Sequence, residues 1–358
     1  MRKEWQKIIS TGWQSWSNSN FLILKGLKCN SPPFVEIPPK NFRFLPSKLK
    51  PPAKGWCSWY AFGDDINEEK ILNQSRWFSQ HREIPIKYIL IDDGCASHGD
   101  WLTPLPERFP SGLKSLAQKI KTLGFKPGLW IAPFWVHPNS NLAQNHPDWL
   151  IQNQGKPLSH PFWDNLVTQK HYLLDIRLPK VESYLKKVIK TLTQDFGFEL
   201  LKLDFLYYPY FYPKIKPRIA FRLLRNFLLE IKRQHSNVYT IGCGCPLLPA
   251  LRAIDSLRIG PDITRPSLYG IPFLNRLINT YLFRAVSDSV KKRLFTRVFW
   301  NLDPDVFVCS PQTGLSENQI LSLQRTIKGC RGNIFLSDDM TKLTSEEIKK
   351  FILPLFQK

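Results

Sequence analysis

From Lys54 onward the chain alternates between two hydrophobic rhythms. Short runs dense in β-branched and aromatic residues have the composition of buried strands. They are "GWCSWYAF" (55–62), "KYILIDDG" (87–94), "KPGLWIAPF" (126–134), "FELLKLDFLYY" (198–208), "VYTIGCGC" (238–245), "SLRIGPD" (256–262), "RVFWNLDPDVFVC" (297–309) and "GNIFLSDD" (332–339). Between them lie longer stretches whose apolar residues recur every three or four positions, the period of an amphipathic helix. "NEEKILNQSRWFSQHRE" (67–83), "SGLKSLAQKIKTLGF" (111–125), "PKVESYLKKVIKTLTQDFG" (179–197), "RIAFRLLRNFLLEIKRQ" (218–234), "IPFLNRLINTYLFRAV" (271–286), "ENQILSLQRTIKG" (317–329) and "SEEIKKFILPLF" (345–356) are of this kind. Ser111 stands where an N-cap belongs and Gly124 where a helix ends, while Pro179 and Gly197 bracket the third helix in the same way.

Eight strands, mostly alternating with helices, predict an α/β fold with the parallel sheet closed as a (β/α)8 TIM barrel over residues 53–358. An open doubly wound sheet is the alternative, but no GxGxxG or GxxxxGK[ST] follows any strand. Residues 1–52 read differently. "NSPPFVEIPPKNFRFLPSKLKPP" (30–52) is too rich in proline for a helix or a central strand, so this part is expected to be a short proline-rich N-terminal arm and linker.

Composition narrows the function classes. No apolar run approaches the roughly 18 residues of a membrane span, and "MRKEWQKIIS" lacks the apolar core of a secretory signal. These features and seven scattered cysteines point to a cytoplasmic protein with reduced thiols. "GCGCP" has no second ligand pair at zinc spacing, and neither a metal nor an organic cofactor is expected. The net charge of +21 comes from lysines spread over helix faces, not from a compact tail, so no specific nucleic-acid or membrane partner is implied. Oligomeric state is not legible.

In such barrels the chemistry gathers at the C-terminal ends of the strands. Those ends carry Asp92 and Asp93, Trp130, Lys202 and Asp204, Cys243, Arg258 and Asp262, Asp303 and Asp305, and Asp338 and Asp339. Lys202 and Asp204 lie two residues apart and so face the same way, at the mouth of an otherwise greasy strand. Such a pair is either a structural ion pair closing the barrel top or part of a ligand site; a ring of them favours the site. Carboxylates, cations and tryptophans without a histidine or metal cluster suit a sugar. Glycoside hydrolysis needs two carboxyl groups, and "LKLDF" and "RIGPD" each offer one beside a cation. On this reading Lys202 keeps Asp204 ionised, and burial together with the nearby negative charge of Asp204 keeps Asp262 protonated. Asp303, Asp305, Asp338 and Asp339 are assigned to caps and loops.

The ordered run "GWCSWY", "IDDGCASHGDWL", "FPSGL", "FKPGLWIAPF", "HPDWL", "LLDIRLPKV", "LKLDF", "GCGCPLLPA", "RIGPD", "NLDPDV" and "SDD" resembles glycoside hydrolase family 36, the bacterial α-galactosidases of clan D, over about residues 54 to 345. The resemblance implies a retaining double displacement on terminal α-galactosyl residues of oligosaccharides or glycoconjugates. It makes Asp204 the nucleophile and Asp262 the general acid and base. It gives Asp92 and Asp93 to the O4 and O6 hydroxyls, Lys202 and Arg258 to ring hydroxyls, Trp130 to an aromatic wall and Cys243 to the pocket lining. Trp56 falls in the substrate-binding set, and Trp16 of "GWQSWS" (12–17) matches a tryptophan that reaches into the site. Against the family's pattern, residues 1–52 are expected to be a remnant of its N-terminal β-sandwich, and its C-terminal β-domain is expected to be missing. Cys95 stands where an aromatic is common, and "RIGPDITRPSLYG" lacks the aromatic that commonly follows the acid/base motif. Alternatives within the same resemblance are an α-N-acetylgalactosaminidase, a galactosyl-transferring enzyme, or a non-catalytic carbohydrate-binding barrel.

Overall fold

The computed structural model describes residues 49–159, 171–212, 214–264 and 272–357. The predicted arm, 1–52, and Trp16 with it, therefore lie almost entirely outside the described residues. Strands β1 (Lys54–Cys57), β2 (Tyr88–Ile91), β3 (Lys126–Ile131), β4 (Leu200–Leu203), β5 (Tyr239–Gly242), β6 (Ser256–Arg258), β7 (Asn301–Asp303), β8 (Val306–Phe307) and β9 (Ile334–Leu336) form one sheet. Their order is β7-β6-β5-β4-β3-β2-β1-β9-β8, and every pairing is parallel.

The two ends of that order are neighbours in sequence, separated by Pro304 and Asp305 alone. The seventh stave is thus one strand in two pieces: β7 pairs with β6, β8 pairs with β9, and the sheet closes on itself. Proline cannot donate to a ladder, and Asp305 sits at φ 82°, so the break falls where the backbone leaves the strand region. At the seam the Asn333 amide donates to the Leu302 carbonyl at 2.8 Å. Gly332 makes that approach possible, since a Cβ there would lie 2.0 Å from the same carbonyl oxygen.

Helices α1 (Glu68–Gln80), α2 (Gly112–Thr122), α3 (Pro179–Lys190), α4 (Pro217–Gln234), α5 (Pro272–Arg293) and α6 (Glu317–Cys330) surround the sheet, followed by a last helical segment from Ser345–Glu347 to Leu353–Phe356. In α3, Val181, Leu185, Val188 and Ile189 are buried, each burial contributing about 1.5–3 kcal/mol. Ser111 occupies the N-cap of α2 but gives its hydroxyl to Glu68 instead of the helix. Between β5 and β6 stands only a short turn of helix, Leu247–Ala250. "GWCSWYAF" is a strand only to Cys57; its second half coils into a helical turn, Trp59–Phe62.

The barrel's lower end is closed by the residues entering it. Lys50 donates to the Val238 carbonyl at 2.7 Å and to Asp255 at 3.0 Å, Lys232 bonds the same aspartate, and Asn301 donates to the Lys50 carbonyl. With the lower end plugged, the open end is the one where the strands finish. No helix among the described residues is long and apolar enough to cross a membrane.

Candidate active site

The strand ends deliver charge to one mouth. Trp130 and Lys202 are register partners on β3 and β4, so both point into the barrel top. Lys202 is buried and donates to Asp92 at 2.8 Å; the Cys57 thiol donates to the same oxygen at 3.2 Å. Burial alone lowers a lysine, yet Asp92 holds Lys202 well above its ordinary value. The lysine's first partner is therefore Asp92, not Asp204 as the two-residue spacing suggested. Asp204, just past β4, accepts from the Trp130 indole N–H at 3.1 Å and from the Phe205 amide at 2.6 Å. Enclosure by the surrounding wall still pushes its carboxyl above the ordinary carboxylate value, against the pull of Lys202. Phe205 is left-handed at φ 54°, a strained backbone beside the Asp204 carboxylate, and its ring stacks on Trp135 at 3.8 Å.

A second cluster hangs from β6 and the kink between β7 and β8. One nitrogen of Arg258, Nη2, lies 2.9 Å from Asp262 and 2.7 Å from Asp305. Asp305 also accepts from the Tyr60 hydroxyl at 2.5 Å and from the Ile263 amide at 2.9 Å. It thereby fixes both the cation beside Asp262 and the backbone just after it. Burial raises Asp305 to about 7. The Asp262 side chain is 60% exposed, so it is not buried as expected. Asp262 and Asp204 nonetheless sense each other: the charge of Asp262 contributes to the rise at Asp204.

The third part gathers at Asp93. Its Oδ1 accepts from the Gly94 amide at 2.7 Å and faces His98 Nε2 at 2.8 Å, while His98 Nδ1 meets His171 Nε2 at 2.7 Å. Gly94, at φ 111°, turns the chain so tightly that a Cβ would lie 2.5 Å from the Asp64 carbonyl oxygen. Burial pushes Asp93 up, but His98, the Gly94 amide and His171 together outweigh it and hold the carboxyl below its ordinary value. Trp101, Trp130 and Trp135 surround the His98 ring with centroids 5.6, 5.7 and 5.7 Å away.

Residues 55–208 match the Melibiase family model. Alpha-galactosidase AgaA of Geobacillus stearothermophilus is 37% identical over 110 residues, 28% of this chain and 14% of that protein. An alpha-galactosidase of Escherichia coli is 26% identical over 170 residues, 45% of this chain and 22% of that protein. The solved structure of TtGalA, an alpha-galactosidase from Thermus thermophilus in complex with p-nitrophenyl alpha-D-galactopyranoside, superposes with a TM-score of 0.74 at 27% identity, covering 87% of this chain and 64% of that one.

The barrel begun by the matching residues 55–208 is similar to that of TtGalA. The chain spans under two thirds of the length of TtGalA and about a fifth or less of the two curated relatives.

In this barrel the predicted residues Asp92, Asp93, Trp130, Lys202, Asp204, Arg258 and Asp262 converge on the strand ends, with Cys243 buried at the end of β5. Trp56 does not join them. It is 0% exposed and its indole donates to the Asp338 carbonyl at 2.8 Å, so it packs beneath the rim instead of facing a ligand. Asp338 holds the Cys309 and Ser310 amides and Asp339 caps the turn at Met340–Lys342, as loop-holding residues do. Asp305 does more than cap, as its grip on Arg258 shows. The histidines were missed altogether: positions 98, 137 and 171 carry no spacing signal, and only the fold brings them together.

Proposed function

We propose that the chain is a retaining α-galactosidase that hydrolyses terminal α-galactosyl residues by double displacement. The observation that carries this reading is the pair of carboxylates, Asp204 and Asp262, at the ends of β4 and β6. They belong to one charge-coupled cluster inside a melibiase barrel. Asp204 attacks the anomeric carbon, its lone pair aligned by Trp130 and the Phe205 amide. Asp262 gives its proton to the departing glycosidic oxygen and afterwards takes one from the water that frees the sugar. A sugar seated over Asp204 covers Asp262 and removes it from water, the condition under which a carboxyl keeps a proton. Arg258 then steadies the same carboxyl when it is ionised.

Sugar recognition follows from the unfilled acceptor positions. In Asp93 the two protein donors share Oδ1, which leaves Oδ2 to accept from a sugar hydroxyl. In Asp92, Oδ2 takes Lys202 and Cys57 while Oδ1 takes only the Asp93 amide at 3.1 Å. Trp130 offers the apolar ring face that a pyranose packs against. TtGalA was solved with an aryl α-galactoside and with stachyose, which supports a galactoside for this barrel. The test is hydrolysis of p-nitrophenyl α-galactoside by the purified chain, beside the β-galactoside and the α-glucoside. Turnover of the α-galactoside alone, lost in Asp204→Asn, supports the reading; turnover of none of the three overturns it.

A further inference from the structure

Asp305 is a buried carboxylate to which the double displacement gives no part. It stands in the kink of the seventh stave, between β7 and β8, at φ 82°. Aspartate tolerates a positive φ better than most side chains, but the conformation still strains the backbone, and such strain gathers at functional sites. The kink lets one oxygen, Oδ2, accept from three elements at once. The donors are the Tyr60 hydroxyl of the turn after β1 at 2.5 Å, the Ile263 amide at 2.9 Å and Arg258 Nη2 of β6 at 2.7 Å. The side chains of Asp305 and Arg258 are each 2% exposed, so little water competes for these bonds.

Asp262 has much less to hold it. Among the described residues its carboxyl has one hydrogen-bond partner, Arg258 Nη2 at 2.9 Å, and its side chain is 60% exposed. That nitrogen is oversubscribed. Its two hydrogens face Asp305, Asp262 and the Pro261 carbonyl, at 2.7, 2.9 and 3.1 Å, and Asp305 makes the shortest of these contacts. Asp305 also grips the backbone one residue past Asp262, where Ile263 is wholly buried. An exposed carboxyl on the rim is therefore tied through its cation on one side and its own chain on the other, and both ties end on the same oxygen.

We propose that Asp305 is a positioning residue for Asp262, aiming through Arg258 and the Ile263 amide the carboxyl that protonates the departing oxygen. The chemistry it serves rests on the α-galactosidase reading, though the placement of Asp262 does not. Loss of the Asp305 charge frees Arg258 to follow Asp262 alone and leaves the Ile263 amide with a weaker acceptor. The acid then loses its aim. Departure of an alkoxide suffers most, because it cannot leave without a proton, whereas a nitrophenolate can. A carboxylate that merely closed the rim would affect both alike.

Asp305→Asn tests this, since asparagine keeps the shape of the side chain and its tolerance for positive φ. The first measurement needs no substrate: crystal structures of the full chain and of the variant. The Arg258 guanidinium and the Asp262 carboxyl are expected to leave their original places in the variant, and finding both unmoved overturns the proposal whatever the enzyme hydrolyses. The second compares kcat/KM on methyl α-galactoside and on p-nitrophenyl α-galactoside. Asp305→Asn is expected to lose at least about tenfold more on the methyl glycoside, the size of one hydrogen bond to a charged group. In an Asp262→Ala background the same substitution should cost less than about twofold, because no acid is left to aim. Equal losses on the two substrates, or the same loss in both backgrounds, mean that Asp305 only closes the rim, and the proposal fails. If Asp305→Asn does not fold, Tyr60→Phe removes one donor and no charge. It is expected to lose at least about threefold more on the methyl glycoside, and equal losses again overturn the proposal. An inactive wild-type chain instead removes the galactosidase reading and leaves the crystal structures to decide the placement.

Discussion

Lys202→Met isolates the buried charge on which the barrel mouth is built. Lys202 and Asp92 are 2.8 Å apart, with side chains 11% and 4% exposed, so the methionine leaves the Asp92 carboxylate with a weak thiol donor and the Asp93 amide. Breaking a buried pair from one side costs about 3–5 kcal/mol. At about 2–3 °C per kcal/mol for a chain of this size, the melting temperature is expected to fall by about 6–15 °C. Removing both charges, as Lys202→Met with Asp92→Leu, is expected to recover most of that loss, because well-packed apolar replacements of a buried pair are often neutral or better. A thermal-unfolding cycle on the four proteins reads the coupling directly. Activity has a separate signature. Asp204 already lies above the ordinary carboxylate value, and Lys202 is the charge that pulls it down. With Lys202 gone the carboxyl rises further and ionises only at higher pH, so the acid limb of kcat/KM is expected to move upward. A melting temperature within about 2 °C of wild type, a double variant no more stable than the single, or an unmoved acid limb refutes the reasoning.

Three further outcomes are expected. Asp204→Ala should abolish turnover, and azide should restore it with β-galactosyl azide as product; the α-anomer is the contrary result in an NMR assay. Asp262→Ala should lose more than about a hundredfold in kcat/KM on substrates with poor leaving groups and far less on nitrophenyl galactosides, which depart without a proton; equal losses on both argue that Asp262 is not the acid. Gly332→Ala should destabilise the fold by about 3 kcal/mol or more, since its Cβ would meet the Leu302 carbonyl oxygen at the seam of the barrel; a change below about 1 kcal/mol in urea unfolding would mean that the seam gives way easily.

Legibility in the sequence followed the range of the forces involved. "KYILIDDG", "KPGLWIAPF" and "FELLKLDFLYY" each contained the observed strand, because a strand buried on both faces must be apolar throughout. The ends were overestimated: the ladders stop at Ile91, Ile131 and Leu203, where the acids and tryptophans turn toward the mouth. The broken seventh stave was harder, although Pro304 inside "NLDPDVF" was a warning, since proline is barred from a central strand. The strand-end positions of Asp204 and Asp262, the proposed catalytic pair, were legible in the sequence. Their partners were not, because pairings such as Lys202 with Asp92 or Arg258 with Asp305 join residues 110 and 47 positions apart. The same holds for His98 and His171, separated by 73 residues and joined only by the fold.

The account stands most directly on the anomer released first from p-nitrophenyl α-galactoside, followed by proton NMR before mutarotation. Two carboxylates working across one anomeric carbon, with Asp204 as nucleophile, give α-galactose as the initial product. β-Galactose appearing first would mean direct attack by water and would contradict the double displacement assigned to Asp204 and Asp262.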